Sequence, residues 1–282
     1  MAKNYYCLVA GLREISMDGE RKGFDARALI ETVREEISEG DRRQLELFYR
    51  YYDAENLANL RAGRSHFSAL GNFTREELEK ELKKPASLPA WMASVLHAYA
   101  DPEGAADEET DTEKAFERSL FEAYYKECEK HGNRFVREWY AFDRNLRNVC
   151  AAYMARKAGV PAADVVVGEG YVADSLARSS AADFGLKGEL DYLDAVTTAV
   201  ADDSNLVDKE RKIDEIRWRM ADDLTVYDYF NMNGILGYLA KVNIVYRWVA
   251  LDPAIGKAMF DKLMYSLSGK ELLGRIGSET EE

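Results

Sequence analysis

The sequence predicts an all-α protein, and three observations favour that class. Apolar residues recur three and four positions apart through most of the 282 residues, which is the spacing of helices with one buried face. Proline is rare, with five in the whole chain, so long periodic stretches run without a break. Strand-like runs are confined to Tyr5–Val9 and Val165–Val167. We therefore expect a packed helical body.

The first part of the chain contains helix signals with recognisable starts and stops. The stretch 25–64 reads as two helices that break near Glu39 and Gly40. Thr74 with Glu77 forms a capping-box pattern that opens another helix, which should end before Pro85. Residues 101–113 are acidic and almost free of large apolar side chains, so they predict a solvated loop.

The second part continues the helical periodicity. A long helical stretch runs from residue 115 to 158, where Gly159 and Pro161 supply a stop. Further helices are predicted at 188–200, 206–220, 233–249 and 254–267. The polar residues 274–282 are expected to form a flexible tail.

Composition and charge narrow the classes of partner. A formal charge of −13 argues against an extended surface for nucleic acid or for anionic lipid. The three cysteines form no close pair, which suits a reducing compartment. No stretch approaches the ~20 apolar residues of a membrane span, and the first residues do not resemble a signal peptide. We therefore expect a cytoplasmic protein whose partners are other proteins.

A repeated motif divides the chain into thirds. Its three copies are Tyr51-x4-Asn56-Leu57, Tyr140-x4-Asn145-Leu146 and Tyr238-x4-Asn243-Ile244, and Asp53 and Asp143 lie inside the first two. The spacing predicts three equivalent helical units, at about 1–100, 114–200 and 205–273, within a single domain of residues 1–276. Inward-facing positions are expected to be buried at Tyr51, Leu57, Trp139, Leu146, Tyr238 and Ile244.

These motif copies resemble the three-fold helical signature of the C-type subunit of V-type ATPases, which is the d-type subunit in eukaryotes. The residues that carry the resemblance are Asp53–Leu57, Asp143–Leu146 with Ala155–Gly159 after it, and Tyr238, Leu239, Ile244 and Arg247; Tyr6, Leu8, Val9 and Ala10 resemble the start of that family. The whole chain is also similar to a bacterial family designated domain of unknown function 2764, whose genes are found among V-type ATPase genes. The acidic insertion and the weak third copy depart from the usual pattern.

The resemblance implies a three-fold pseudo-symmetric helical funnel. Such a funnel would seat the tip of the central rotor shaft and rest on the membrane rotor ring, so the protein would lie at the inner face of the membrane through its complex. It would couple ATP-linked ion transport without catalysing a reaction and without a cofactor. On a body of charge −13, arginines in or beside the motif copies are candidates for contacts with a partner: Arg61, Arg147 and Arg247. The alternative for each is pairing with a neighbouring acid.

Two kinds of catalytic pattern compete with this hypothesis. Gly168-x-Gly170-x-x-Ala173 follows a valine run, as in a dinucleotide fingerprint, but no second strand signal follows it. The pairs Asp202-Asp203 and Asp222-Asp223 resemble magnesium-binding acids and lack a third carboxylate at helical spacing. No phosphate-binding Gly-x4-Gly-Lys-Ser/Thr is present. A helical adaptor for another protein and an acid-dependent helical enzyme remain the alternative hypotheses.

Overall fold

The computed structural model describes residues 3–19, 24–100 and 109–250, with the side chains of the last range described from 112 onward. Within these ranges the regular structure is helical throughout and no strand occurs. The eleven α-helices of these ranges are α1 (Tyr6–Gly11), α2 (Ala26–Glu36), α3 (Glu39–Arg61), α4 (Arg75–Lys83), α5 (Ala90–Ala98), α6 (Glu109–Lys130), α7 (Arg134–Ala158), α8 (Tyr171–Arg178), α9 (Leu193–Ala201), α10 (Leu206–Thr225) and α11 (Met232–Ala250). The all-α class is therefore confirmed for the described part of the chain.

Local sequence explains where several helices begin and end. Thr74 and Glu77 form the predicted capping box at the start of α4, and the helix ends at Lys83, ahead of Pro85. Gly159 closes α7 with a φ of 71°, a left-handed conformation that favours glycine. The break between α2 and α3 falls at Ile37 and Ser38, and the Ser38 hydroxyl accepts a bond from the Asp41 amide.

Both strand-like runs adopt other conformations. The run at Tyr5–Val9 falls mostly within α1, and the backbone amide of Tyr5 donates to the carbonyl of Phe230 at 2.6 Å. Val165–Val167 is a loop in which the Asn148 side chain bonds both backbone groups of Val167. Because a strand needs a neighbouring strand for its backbone bonds, neither run forms one here.

Several predicted boundaries also change. Helix α6 begins at Glu109, so residues 109–113 are helical and not part of the predicted acidic loop; acidic residues are favourable in the first turn of a helix. Helices α5 and α8 were not predicted, because both are short and lie beside segments rich in turn-forming residues. The predicted helix at 254–267, the predicted tail at 274–282 and residues 101–108 lie outside the described residues.

Two apolar clusters form the interior. The larger cluster runs through α2, α3, α6, α7, α9 and α11, and Leu146 lies within it. The smaller cluster joins the second half of α3 to α4, α5 and the start of α6, around Leu57 and Met92. Trp91 and Phe121 pack against both clusters, so the two interiors are continuous.

The three helices that carry the motif copies, α3, α7 and α11, meet at a polar junction near their N-terminal ends. Asn133 Nδ2 donates to Gln44 Oε1 at 2.7 Å and to Asn233 Oδ1 at 2.9 Å, while Asn133 Oδ1 caps α7. Contacts farther along the helices join Tyr51 to Tyr140 and Tyr49 to Asn243. Since these contacts lie C-terminal to the junction in each helix, the three helices run in the same direction.

Candidate functional site

The motif tyrosines of the first two copies touch each other. The rings of Tyr51 and Tyr140 stack at 6.2 Å between centroids with 16° between their planes, and both side chains are buried. Tyr238 differs, because it is only partly buried and its hydroxyl donates to the carbonyl of Arg13 at 3.0 Å. The burial prediction is confirmed for the other five positions and holds only in part for Tyr238.

The motif asparagines have different partners. Asn56 bonds both backbone groups of Ser68, at 2.6 Å and 2.8 Å, and so fixes the loop after α3. Asn145 acts to lower the pKa of the Tyr192 hydroxyl, and Asn243 accepts from the hydroxyl of Tyr49. Asn148 bonds both backbone groups of Val167 in the same way and so clamps the loop after α7. It lies three residues after Asn145, so the motif did not identify it.

The two motif aspartates also act differently. Asp53 is buried and accepts from the Phe73 amide, the Asn72 side chain and Arg50. Asp143 is buried between Arg147, at 2.7 Å, and Arg217 of α10, at 3.2 Å. Burial acts to raise the pKa of Asp143, but the two guanidinium groups outweigh it and hold the pKa below its usual value.

The three candidate arginines separate into two groups. Arg61 has a side chain only 19% exposed and pairs with Glu113 at 2.9 Å, and Arg247 pairs with Asp214 of α10 at 2.8 Å and with Glu210. These two therefore join elements of the same chain. Arg147 also pairs within the chain, with Asp143, but it is 46% exposed and its guanidinium lies 5.0 Å from the ring centre of Tyr51 at the edge of a groove.

The groove has a volume of about 310 Å³ and lies between α3, α6 and α7. Three aromatic side chains, Tyr51, Phe121 and Tyr125, form part of its wall. The remaining lining is mostly charged or polar: Glu55, Asn59, Arg64, His66, Glu117, Arg144, Arg147 and Asn148, with Val167. The loops held by Asn56 and by Asn148 both reach the groove. His66 lies two residues before Ser68, which Asn56 binds, and Asn148 binds Val167 itself.

Glu55 is the unusual charge in this groove. It is partly buried, and it has no hydrogen bond or ion pair among the described residues. Burial raises the pKa of Glu55, while Arg147 and His66 oppose that rise. An ionised carboxylate without a partner is costly away from water, so this position favours a group that would pair with it.

An exposed, mostly aromatic surface lies elsewhere, where the α10–α11 connection meets the start of α1. We call it the aromatic patch, and its exposed members are Val226, Tyr227 (88%), Tyr229 (68%), Phe230 and Tyr6 (57%). The rings of Tyr6 and Phe230 are 4.7 Å apart between centroids. A contiguous group of exposed aromatic side chains is typical of a surface that another molecule covers.

The aromatic patch and the groove lie at different positions along α7. Arg134, the first residue of α7, pairs with Asp228 and donates to the Leu224 carbonyl at 2.7 Å, so the patch adjoins the start of α7. The groove is lined by Arg144 and Arg147, farther along the same helix. Arg147 lies thirteen positions after Arg134, which corresponds to about 20 Å of helix.

The catalytic patterns are not supported by neighbouring groups. Gly168 and Gly170 have positive φ and precede α8, but no strand occurs among the described residues to present that turn. Asp202 pairs with Lys212, Asp203 with Lys157 and Lys209, and Asp222 with Lys241. In the described part of the chain no three His, Cys, Asp or Glu side chains are placed to hold a metal ion. No described helix is long and apolar enough to cross a membrane.

The fold and these surfaces define an all-helical protein with a charged groove and an aromatic patch. Residues 1–270 match the family described as "Protein of unknown function (DUF2764)", so the chain belongs to that family. A search among curated proteins found no match.

Proposed function

We propose that this protein is a non-catalytic coupling part of a V-type ATPase rotor, holding the central shaft at one surface and resting on the membrane rotor ring at another. The observation that carries the proposal is the pair of surfaces of different chemistry, about 20 Å apart along α7. The resemblance of the motif copies supplies the identity of the two partners.

The groove suits the shaft. Arg64 and Arg147 expose nearly half of their side chains at its edge, where they can meet carboxylates or carbonyls of a partner. A shaft that must resist tilting requires an extensive interface, so the contact should bury about 2,000 Å² or more in total, centred on this groove.

The aromatic patch suits the membrane ring. Tyrosine combines an apolar ring with a polar hydroxyl, and it is common where protein surfaces meet the boundary between membrane and water. Tyr227 and Tyr229 expose most of their surfaces and come from a short connection, so they can contact a ring without any movement of the helices.

Rigid connection between the two surfaces supports transmission of torque. The proposed three-unit body has α3, α7 and α11 as its parallel centre, joined by the polar junction of Asn133. Asp214 of α10 binds Arg217 on its own helix and both Arg247 and Trp248 of α11, and Arg217 also binds Asp143 of α7. These contacts hold three long helices together at several points.

Two sets of substitutions test the proposal by separating the partners. Arg64→Ala with Arg147→Ala should weaken binding of the purified central shaft by about tenfold or more and leave ring binding unchanged. Tyr227→Ser with Tyr229→Ser should have the opposite effect. Light scattering measures the shaft complex, and co-sedimentation with rotor rings in detergent measures the ring complex.

The matched controls are exposed residues of the same types that lie outside the two proposed surfaces. Arg43→Ala alters an exposed arginine of α3 outside the groove, and Tyr171→Ser alters an exposed tyrosine outside the aromatic patch. Neither control should change binding to either partner. If the wild-type protein binds neither shaft nor ring at micromolar concentration, the rotor proposal is wrong and an adaptor for another protein becomes the better hypothesis.

A further inference from the structure

Among the described residues, the charges around the groove leave one carboxylate without a direct hydrogen bond or ion pair. Each bordering arginine has its own acidic partner: Arg64 with Glu117 at 2.9 Å, Arg144 with Glu129 at 2.6 Å, and Arg147 with Asp143 at 2.7 Å. Glu55 is the remaining ionisable acid of the groove wall and is unpaired among the described residues. Although three arginines border the groove, it therefore contains a carboxylate that could accept a further cation.

The aromatic wall already binds guanidinium groups. Arg147 lies over Tyr51 at 5.0 Å from the ring centre, and Arg144 lies over Tyr125 at 5.9 Å. Phe121 also lines the groove, is partly exposed, and has no cation over its ring in the described part of the chain. Its ring is 5.3 Å from that of Tyr51, which lies one helical turn before Glu55.

We infer that this groove binds an arginine side chain of a partner protein, with Glu55 accepting hydrogen bonds from the guanidinium and Phe121 stacking against it. A guanidinium suits this place better than an ammonium, because it is planar, stacks on rings and bonds a carboxylate with two parallel N–H groups. The identity of that partner as the shaft rests on the proposed function, whereas the arginine site itself does not.

The partner segment would carry both signs of charge. Its arginine would enter beside Glu55, and acidic or carbonyl groups on either side would meet the exposed parts of Arg64 and Arg147. Such alternation fixes the register of a docked segment, because a shift along the groove would bring like charges together.

The site can be tested on the isolated protein with N-acetyl-arginine-N-methylamide as the probe. Two-dimensional amide NMR should show shifts confined to the residues around the groove as the probe is added, which are residues 51–66, 117–125, 144–148 and 167. The citrulline analogue, which has the same shape without the charge, should give no saturable shifts. Glu55→Gln should weaken binding of the arginine probe by about tenfold or more.

Glu46→Gln is the matched control, since Glu46 is an exposed glutamate of the same helix outside this groove. It should bind the probe like the wild type, and unchanged spectra elsewhere will show that both variants fold. The inference is overturned if no groove shifts occur up to about 100 mM probe, if Glu55→Gln binds equally well, or if the aspartate analogue saturates the groove in place of the arginine probe.

The result is separable from the test of the rotor proposal. Arginine binding without shaft binding would retain the site and reject the shaft as its partner. Shaft binding that is insensitive to Glu55→Gln would reject the arginine site while leaving the rotor proposal in place.

Discussion

At the scale of single residues, Glu55 is a group whose ionisation opposes folding. Burial raises the pKa of Glu55 in the folded chain above the value it has when unfolded. The folded chain therefore keeps the proton to higher pH, and it loses stability as the pH rises from the ordinary glutamate range through the raised value. Such a cost is expected at a binding position, where a partner's charge would relieve it.

Glu55→Gln should consequently raise the thermal midpoint at pH 7. The gain should shrink as the pH falls and vanish below about pH 4, where glutamate is protonated in both states. Thermal unfolding of the variant and the wild type between pH 4 and pH 8 measures this difference. Glu46→Gln, on the exposed side of the same helix, should show no comparable trend, and a lower midpoint for Glu55→Gln at pH 7 would contradict the assigned cost.

At the scale of elements, one asparagine on each of α3 and α7 fixes the loop that follows its helix. Asn56 holds Ser68, and Asn148 holds Val167 at 2.8 Å and 2.9 Å. In each case one side-chain amide satisfies both the N–H and the C=O of a single residue, as a neighbouring strand would. These clamps position the two loops that border the groove.

Asn148→Ala should release its loop and lower the free energy of unfolding by about 1–3 kcal/mol, because two backbone groups lose their partner. Urea denaturation measures the loss, and hydrogen exchange at the Val167 amide should become faster. Asn145→Ala is the comparison one turn earlier, and it should leave exchange at Val167 unchanged because both bonds to Val167 come from Asn148. Equal protection of Val167 in all three proteins would show that the clamp is not responsible for ordering the loop.

At the scale of the whole molecule, the two apolar clusters should unfold together. Leu146 is fully buried in the larger cluster, and Leu57 is fully buried in the smaller one. Trp91 and Phe121 pack against both clusters. Shared side chains of this kind couple the loss of one interior to the loss of the other.

Leu146→Ala should lower the free energy of unfolding by about 2–5 kcal/mol through the cavity that it leaves. Leu57→Ala should lower it by a similar amount within the same single transition. Met154→Ala, at an exposed position of α7, should change it by no more than about 0.5 kcal/mol. Denaturation followed by both circular dichroism and tryptophan fluorescence tests the coupling, and two separate transitions in either core variant would show independent units.

The sequence alone determined the helical class, the bounds of several helices and five of the six predicted buried positions. Those properties depend on local periodicity, on caps such as Thr74 with Glu77, and on Gly159, all of which act within a few residues. It also selected Arg147, the one candidate arginine that lies at the groove. Tertiary structure decided the rest. It showed that all three candidate arginines pair within the chain, that Asn148 and not Asn145 clamps a loop, and that Glu55 lies unpaired in the groove among the described residues. Such assignments depend on which side chains meet across α3, α6, α7 and α10, and spacing along the chain does not encode that meeting.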